Sequence, residues 1–400
     1  MEKEIKMSKR YLVKLTPTGK FFFGGDMRFG IGKEEEFSSY IIESSTMPQQ
    51  TSLLGMVRFL LLSNNVDLFD KNNNQIIPGK ENEVKKMIGS ESFTVQKDKE
   101  EMNQFGKIKS IGPCFIYNNK KRYYRAPMDK VFSSVEWPVN PTQAYVNGKP
   151  VKLPDLKIWN GEKDEFYTGK DYLPSYFVAM NIPHVNVGDS DVYISSGKCV
   201  LKGNCCYAED ELFTKDTRIG IDKNYEGKSE TNAFYKQISY RLKEGFCFAF
   251  ELEVDDDVDL DLSTKPYKGQ LVNLGADASS FVFDAEEMNL SENEKKVGLS
   301  VVLLSDAYIS KNDMDTINIR FSINRIRPFR FLKTENQTNA SYYRINGKGN
   351  VASRSERYEL YQAGSVFYFE NDDDRNAFVE VLESRKDFNQ IGYNKYYIKK

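Results

Sequence analysis

Two alternating runs, "FYKQISYRL" (Phe234–Leu242) and "FCFAFELEV" (Phe246–Val254), are separated only by the turn Lys243, Glu244 and Gly245. Alternation of apolar and polar residues is the period of a strand. A three-residue turn suits a hairpin, whereas a parallel crossover needs a dozen residues or more. The pattern recurs in "IGPCFIY" and "KKRYYRAP", which predict a hairpin around Asn118 and Asn119. Near the N-terminus "RYLVKLTP" (Arg10–Pro17) predicts a strand ended by Pro17 and Gly19. A long loop then leads to "MPQQTSLLGMVRFLLLSNN", where Leu53, Leu54, Val57, Leu60 and Leu61 recur at helical spacing and Pro48 sits near the helix start.

The 400 residues have length for two or three domains. After the charged break "SENEKK" (Ser291–Lys296), "VGLSVVLLSDAYI" (Val297–Ile309) reads as a fresh buried strand. Further strands follow in "TINIRFSINRIRPFRFLK", "YELYQAGSVFYFE" and "GYNKYYIKK", with a helix over "DDDRNAFVEVLESR" started by Asp372 to Asp374. Strands in hairpins with few helices give an α+β class, and the order suits ferredoxin-like (RRM-like) domains better than a doubly wound sheet. We expect two such domains with long insertions. The first spans 1–290, with insertions at about 64–106 and 138–215, and the second spans 296–400. Asn64–Gly106 is polar and reads as peripheral, and Pro138–Gly203 reads as irregular apart from the apolar "YFVAM" (Tyr176–Met180). The acidic run "DDDVDLD" reads as a solvated loop.

Lys and Arg number 56 against 58 Asp and Glu, a net charge of −2. A free-standing, non-specific nucleic-acid binder is usually basic, so any such role must use local patches. Cys114, Cys199, Cys205, Cys206 and Cys247 form no zinc-spaced pair and read as reduced, mostly buried thiols. The charged start "MEKEIKMSKR" lacks an apolar signal segment and no run has the length of a membrane span, so the cytoplasm is the expected location.

The loop "FFFGGDMRFGIG" (Phe21–Gly32) follows a strand, where phosphates are often held. It is no P-loop, because Gly32 is followed by Lys33 and three glutamates, and it lacks the GxGxxG spacing of dinucleotide binders. What remains is a plain turn, or a glycine backbone able to approach a polymer's phosphates with Arg28 alongside. The single histidine, His184, lies in a turn-rich stretch, Asp255–Asp257 have no convergent partner, and no nucleophile elbow is present. Basic residues interleaved with aromatics are the stronger theme. Between Thr316 and Arg357, nine of them (Arg320, Arg325, Arg327, Arg330, Lys333, Arg344, Lys348, Arg354, Arg357) face only Glu335 and Glu356, and Lys120, Lys121, Arg122 and Arg125 surround Tyr123 and Tyr124. Single-stranded RNA needs this pairing of charge for phosphates with planes for bases. A solvated strand face or a protein interface has the same composition.

Several segments in order resemble the repeat-associated RAMP proteins of type III CRISPR systems. "YLVKLTPTGKFFFGGD" and "PQQTSLLGMVRFLLL" are similar to the family's first strand, loop and helix, the helix pattern being carried by Ser52, Leu53, Gly55 and Arg58. "TRIGID" (Thr217–Asp222) with "FYKQISYRLKEGF" is similar to its Arg-Xaa-Gly-Ile turn and hairpin, and "VNLGADASSFVF" to its Leu-Gly-Gly-Glu segment. "QAGSVFYFE", with Ala363, Gly364 and Ser365, resembles the Ala-Gly-Ser-Val-Tyr strand of the third RAMP subunit of the type III-B Cmr module. Four positions depart from the pattern: Asp277 replaces the Glu, Ser305–Asp306 replace a Thr-Pro, and Asn394 replaces the second glycine of a Gly-Tyr-Gly.

The resemblance implies a non-catalytic subunit with no metal and no cofactor. It would bind the repeat-derived 5′ handle of the crRNA and dock against the large polymerase-like CRISPR subunit and a backbone RAMP subunit, meeting target RNA indirectly and no membrane. Gly24, Gly25, Arg28, Thr51, Ser52 and Arg58 would then face ribose and phosphate, since helix N-termini suit phosphates. Arg218, Gly220 and Ile221 would hold or wedge handle bases, and Arg325, Arg327, Arg330, Gly364 and Ser365 would add contacts. The alternatives are a crRNA-processing endoribonuclease of the same fold, the equivalent subunit of a Csm-type complex, and a purely protein-docking subunit.

Overall fold

The computed structural model describes residues 8–25, 27–29, 40–89, 92–95, 103–125, 127–128, 143–146, 149–152, 192–195, 206–223, 229–255, 261–277, 279–288, 298–333 and 353–399. The chain opens with β1 (Ser8–Pro17), β2 (Met27–Phe29), β3 (Tyr40–Glu43), α1 (Gln50–Ser63), β4 (Phe69–Asp70), β5 (Gln75–Ile76) and α2 (Glu81–Ile88). Next come β6 (Ile108–Ile111), β7 (Phe115–Asn118), β8 (Lys121–Arg125), β9 (Gln143–Val146), β10 (Lys149–Lys152), β11 (Val192–Ser195) and β12 (Cys206–Ala208). A one-turn α3 (Glu209–Leu212) leads into β13 (Phe213–Lys223), β14 (Ser229–Leu242), β15 (Cys247–Asp255), β16 (Leu271–Asn273) and β17 (Ser280–Glu287). The remainder holds β18 (Ser300–Leu303), α4 (Lys311–Asp315), β19 (Phe321–Ile323), β20 (Ile326–Phe329), β21 (Leu332–Lys333) and β22 (Ser353–Arg354). It ends with β23 (Tyr358–Tyr361), β24 (Val366–Tyr368), α5 (Asp372–Ser384), α6 (Lys386–Gln390) and β25 (Tyr396–Lys399). The class is mixed α+β, dominated by antiparallel pairing with few helices.

The largest sheet runs β12-β11-β8-β7-β15-β1-β17-β16, with β6 also on β15. Alternation along β1 decides its two faces. Tyr11, Val13 and Leu15 are fully buried, as are Phe248, Phe250 and Leu252 of β15 and Phe281 and Phe283 of β17. The apolar stripe of α1 joins this core through Leu53, Leu54, Val57, Leu60 and Leu61. The other face carries cross-strand ion pairs: Arg10 with Glu253 at 2.8 Å, Lys14 with Glu286 at 2.6 Å, and Arg122 with Glu251. Such solvated pairs add little stability one by one, but they fix strand register through opposite charges.

A second sheet, β19-β24-β18-β25, packs α5 on one face through Val301, Leu303, Phe367, Phe378 and Leu382. Asn371 caps α5, its side-chain oxygen accepting the Asp374 N–H at 2.8 Å, and Asp372 to Asp374 occupy the first turn, where the dipole favours them. The cap is therefore one residue before the expected aspartates. Asn371→Ala is expected to cost about 1 kcal/mol, read as a shift of the urea midpoint with an unchanged slope.

The two parts share one core. Phe329, Phe331, Leu360, Phe388, Ile391 and Tyr393 cluster with the residues of the first sheet. Gln50 Nε2, on a buried side chain, donates to the carbonyls of Gly112 at 2.8 Å and Ile391 at 2.9 Å and so ties α1 to both parts.

Several sequence expectations need correction. The strands flanking Lys243–Gly245 do not pair with each other: β14 lies in the separate sheet β13-β14-β3-β2, and β15 lies between β1 and β7 in the large one. The turn is a corner. Gly245 has φ 82°, Lys243 donates its N–H to the Leu212 carbonyl at 2.8 Å, and Phe246 packs on Tyr207 at 5.2 Å. Arg218–Ile221 is not a turn but the interior of β13, paired with Phe234–Gln237. The segment 64–106 is not peripheral, because Val84, Met87, Phe93, Val95 and Phe105 enter the core and Phe93 meets Phe388 edge-on at 5.0 Å. In the 138–215 insertion, β11 and β12 extend the large sheet, and "YFVAM" lies outside the described residues.

The hairpin β7–β8 forms, with its turn one residue beyond the expected Asn118 and Asn119, because Asn118 pairs with Lys121. Asn119 and Lys120 take φ 47° and 63°, the left-handed pair that a two-residue hairpin turn demands. Asn394, in place of a glycine, also has a positive φ of 57°. Its buried amide accepts the Tyr308 N–H at 2.8 Å and donates to the Tyr308 carbonyl at 3.2 Å and the Leu382 carbonyl at 3.1 Å. Asn is among the few residues that tolerate this conformation, so the departure keeps the loop tight.

Candidate nucleic-acid interface

A cavity of about 940 Å³ lies where the two parts meet. One wall is the glycine loop Phe23–Gly25 with the segment Glu43–Gln50, another is Tyr123–Arg125 with Glu209, Asp210 and Phe213–Lys215, and the third is Leu304–Asp306, Arg325, Arg327, Pro328 and Gln362–Ala363.

The loop is held by small polar residues. Phe22 N–H donates to Ser279 Oγ at 2.9 Å, Phe23 N–H to Ser44 Oγ at 2.8 Å, and Ser45 N–H to the Gly24 carbonyl at 2.7 Å. A Cβ on Gly25 would stand 1.8 Å from the Glu43 carbonyl oxygen. The glycine is thus required by close backbone approach.

The α1 N-terminus faces the same cavity through Gln49 and Gln50. Its N-cap residue, Gln49, makes no side-chain cap hydrogen bond, and the first turn holds no acid to offset the positive end of the helix dipole. Tyr393, wholly buried at this end, has its phenol pushed up by burial first and then by the Asp306 charge. Burial likewise pushes the Tyr124 phenol up to about 12. Burial, then Cys247, raises the Cys114 thiol. These groups are neutral at pH 7, and the formal charge of the lining rests on Arg, Lys, Asp and Glu.

Those charges balance, with Arg125, Lys215, Arg325 and Arg327 against Glu43, Glu209, Asp210 and Asp306. Glu43 accepts from Tyr240 Oη at 2.6 Å and Lys215 Nζ at 2.9 Å. Arg125 Nη2 lies 3.3 Å from Thr46 Oγ1 and 3.9 Å from Glu209. Phe23, Tyr123, Tyr124 and Tyr240 complete the lining, although Tyr123 and Tyr240 are buried and the Tyr124 ring packs on Phe115 at 5.2 Å.

The expected contact residues divide. Gly24, Gly25, Arg325 and Arg327 line the cleft, and Thr51 and Ser52 lie in the first turn of α1 at its edge. Gly364 and Ser365 lie directly behind Ala363. Ser365 is fully buried, its hydroxyl donating to the Gln362 carbonyl at 2.7 Å. Arg330 is exposed just after β20. Arg28 is in β2, opposite Ile41. Arg218, Gly220 and Ile221 are carried on β13, where Arg218 is exposed and a Cβ on Gly220 would strike the Tyr235 ring at 2.2 Å. Arg58 is turned elsewhere, with Nη2 on the Gln104 carbonyl at 2.7 Å and its guanidinium over the Phe105 ring at 5.7 Å. His184, Arg344 and Lys348 lie outside the described residues.

The family described as CRISPR-associated protein (Cas_Cmr3) matches residues 13–400. The chain belongs to this family. The resemblance to the third Cmr subunit is thereby borne out, the Csm-type alternative gives way to it, and the chain is a subunit of a type III CRISPR effector complex. No curated protein matches the sequence. Among solved structures, a chain in "Cryo-EM structure of the Type III-B Cmr-beta bound to cognate target RNA" is similar at 13% identity and TM-score 0.46, covering 98% of this chain and 96% of that one. A chain in "Crystal structure of Csm3-Csm4 subcomplex in the type III-A CRISPR-Cas interference complex" is similar at 10% identity and TM-score 0.33, covering 90% and 92%. Among the described residues no helix is long and apolar enough to cross a membrane.

The sequence reading missed the acidic members of the cleft, Glu43, Glu209, Asp210 and Asp306. Nothing in their spacing signals convergence, because they come from three separate stretches of chain.

Proposed function

We propose that this family member is a non-catalytic RNA-binding subunit that holds the crRNA 5′ handle in the cleft and docks the large polymerase-like subunit onto the RAMP backbone. One observation carries the reading: the glycine loop, the N-terminus of α1 and Arg325, in the turn before β20, converge on one cavity whose lining includes aromatic residues. Backbone N–H groups and arginines suit phosphates, and rings suit bases. The ribbon β13–β14 would carry Arg218 and the 61% exposed Ile219 to the handle bases. The cytoplasm, where such RNA is found, is part of the same proposal.

We read both parts as ferredoxin-like. Four strands in each, taken in chain order, are arranged 2-3-1-4: β7-β15-β1-β17 and β19-β24-β18-β25, every neighbour antiparallel. That is the order of a βαββαβ unit. In the first part, turns over 261–270 take the place of the second helix.

The test is to tag the chain in its own cells, purify it gently and sequence the accompanying small RNA. We expect RNAs sharing one repeat-derived 5′ end, together with the large subunit. Absence of RNA, or random fragments, would return the basic strands to a protein interface. The isolated chain should leave a repeat-containing transcript intact in the absence of metal, and shortening of that transcript would make it a processing nuclease.

A further inference from the structure

Arg327 lines the cleft, yet its guanidinium is committed within the protein. Nη1 donates to Asp306 Oδ2 at 3.1 Å and Nη2 to Ser45 Oγ at 3.2 Å. The other carboxylate oxygen of Asp306 accepts the Ala363 N–H at 3.0 Å. Ser45 passes the connection on, donating its N–H to the Gly24 carbonyl at 2.7 Å. An unbroken series of hydrogen bonds therefore runs from the glycine loop, through Ser45, Arg327 and Asp306, to the turn at Ala363. Both side chains of the ion pair are mostly shielded, 22% and 19% exposed. A phosphate approaching this guanidinium would meet the Asp306 carboxylate beside it, and the two charges already neutralise each other.

Resting on the RNA-binding reading above, we propose that Arg327 is a positioning residue and not a phosphate ligand. With Asp306 it forms a strut that sets the spacing between the glycine loop and the Ala363 turn. Its contribution to RNA affinity comes from geometry and not from net charge. The two roles make opposite predictions for the acidic partner: a ligand arginine is freed when its carboxylate is removed, whereas a strut is broken.

The experiment uses the purified full chain and a synthetic single-stranded RNA carrying the 5′ repeat sequence of its own CRISPR array, with affinity measured over a range of salt. The strut predicts that Asp306→Asn binds RNA more weakly than the parent, although it removes a negative charge. It predicts that Arg327→Gln is weaker with an unchanged slope of log affinity against log salt. Tighter binding by Asp306→Asn, or a slope for Arg327→Gln lower by about 0.7, the value for one lost single-strand phosphate contact, would overturn it. Ser45→Ala alters no charge and covers the case in which an ionic variant fails to fold, as judged by circular dichroism. It weakens RNA binding if the strut matters, and parent-like affinity would overturn the proposal. Absence of salt-dependent binding by the parent chain would remove the RNA reading itself, an outcome distinct from parent binding with a freed arginine.

Discussion

Phe248→Ala is expected to lower the unfolding free energy by about 3–5 kcal/mol, the range for emptying a buried aromatic site. The ring is fully buried and stands at the centre of an aromatic cluster, with centroids 5.2 Å from Phe21, 5.4 Å from Phe23, 6.4 Å from Phe213 and 6.1 Å from Phe281. Such pairs add to the area term by their edge and stacked geometries. Because Phe21 and Phe23 begin the glycine loop and Phe213 begins β13, the cavity left behind would also loosen two elements of the cleft. Urea unfolding of parent and variant measures the effect, and a loss below about 1 kcal/mol, less than the range for emptying a packed core site, would contradict the packing described.

Gly392→Ala should be nearly as damaging, at about 3 kcal/mol, from a positive-φ strain and an overpacking cost that add. Gly392 has φ 90°, and its added Cβ would lie 1.8 Å from Gln50 Nε2 and 2.5 Å from the Gly112 carbonyl oxygen. Gln50 is the residue that joins α1 to Gly112 and Ile391, so the clash falls on the connection between the two parts. Thermal unfolding should show a lowered midpoint. A variant as stable as the parent would mean that the junction yields without cost.

What the sequence revealed and what it hid follow one physical rule. Features set by neighbouring residues were legible: the hairpin of β7 and β8, though its turn falls at Asn119–Lys120, one residue beyond the expected pair, the apolar stripe of α1, and α5, whose acidic first turn signals its start. Features set by distant partners were not. The alternation in Phe234–Leu242 and Phe246–Val254 correctly marks strands, but a period of two carries no information on which strand lies alongside. Here β1 and β7 occupy the edges of β15, and β14 turns away to β13 and β3. For the same reason Gly25, Arg325 and Arg327 could be singled out by residue type, whereas Asp306 and Glu43 acquire their roles only when folding brings 300 and 40 numbering together. Arg58 illustrates the converse. Its place in a helix motif suggested a phosphate contact, and the structure places it on Gln104 and Phe105.

The central claim is that RNA occupies the cleft between the glycine loop and the C-terminal part. The most direct test is photocrosslinking of the full chain to a repeat-derived RNA bearing 4-thiouridine, with the modified peptides mapped by mass spectrometry. The account predicts crosslinks on Phe23 or Tyr240, or within Glu43–Gln50, which line the cavity. Crosslinks confined to the ion-paired outer face of the large sheet, around Tyr117 and the pairs of Lys14 and Arg122, would contradict it.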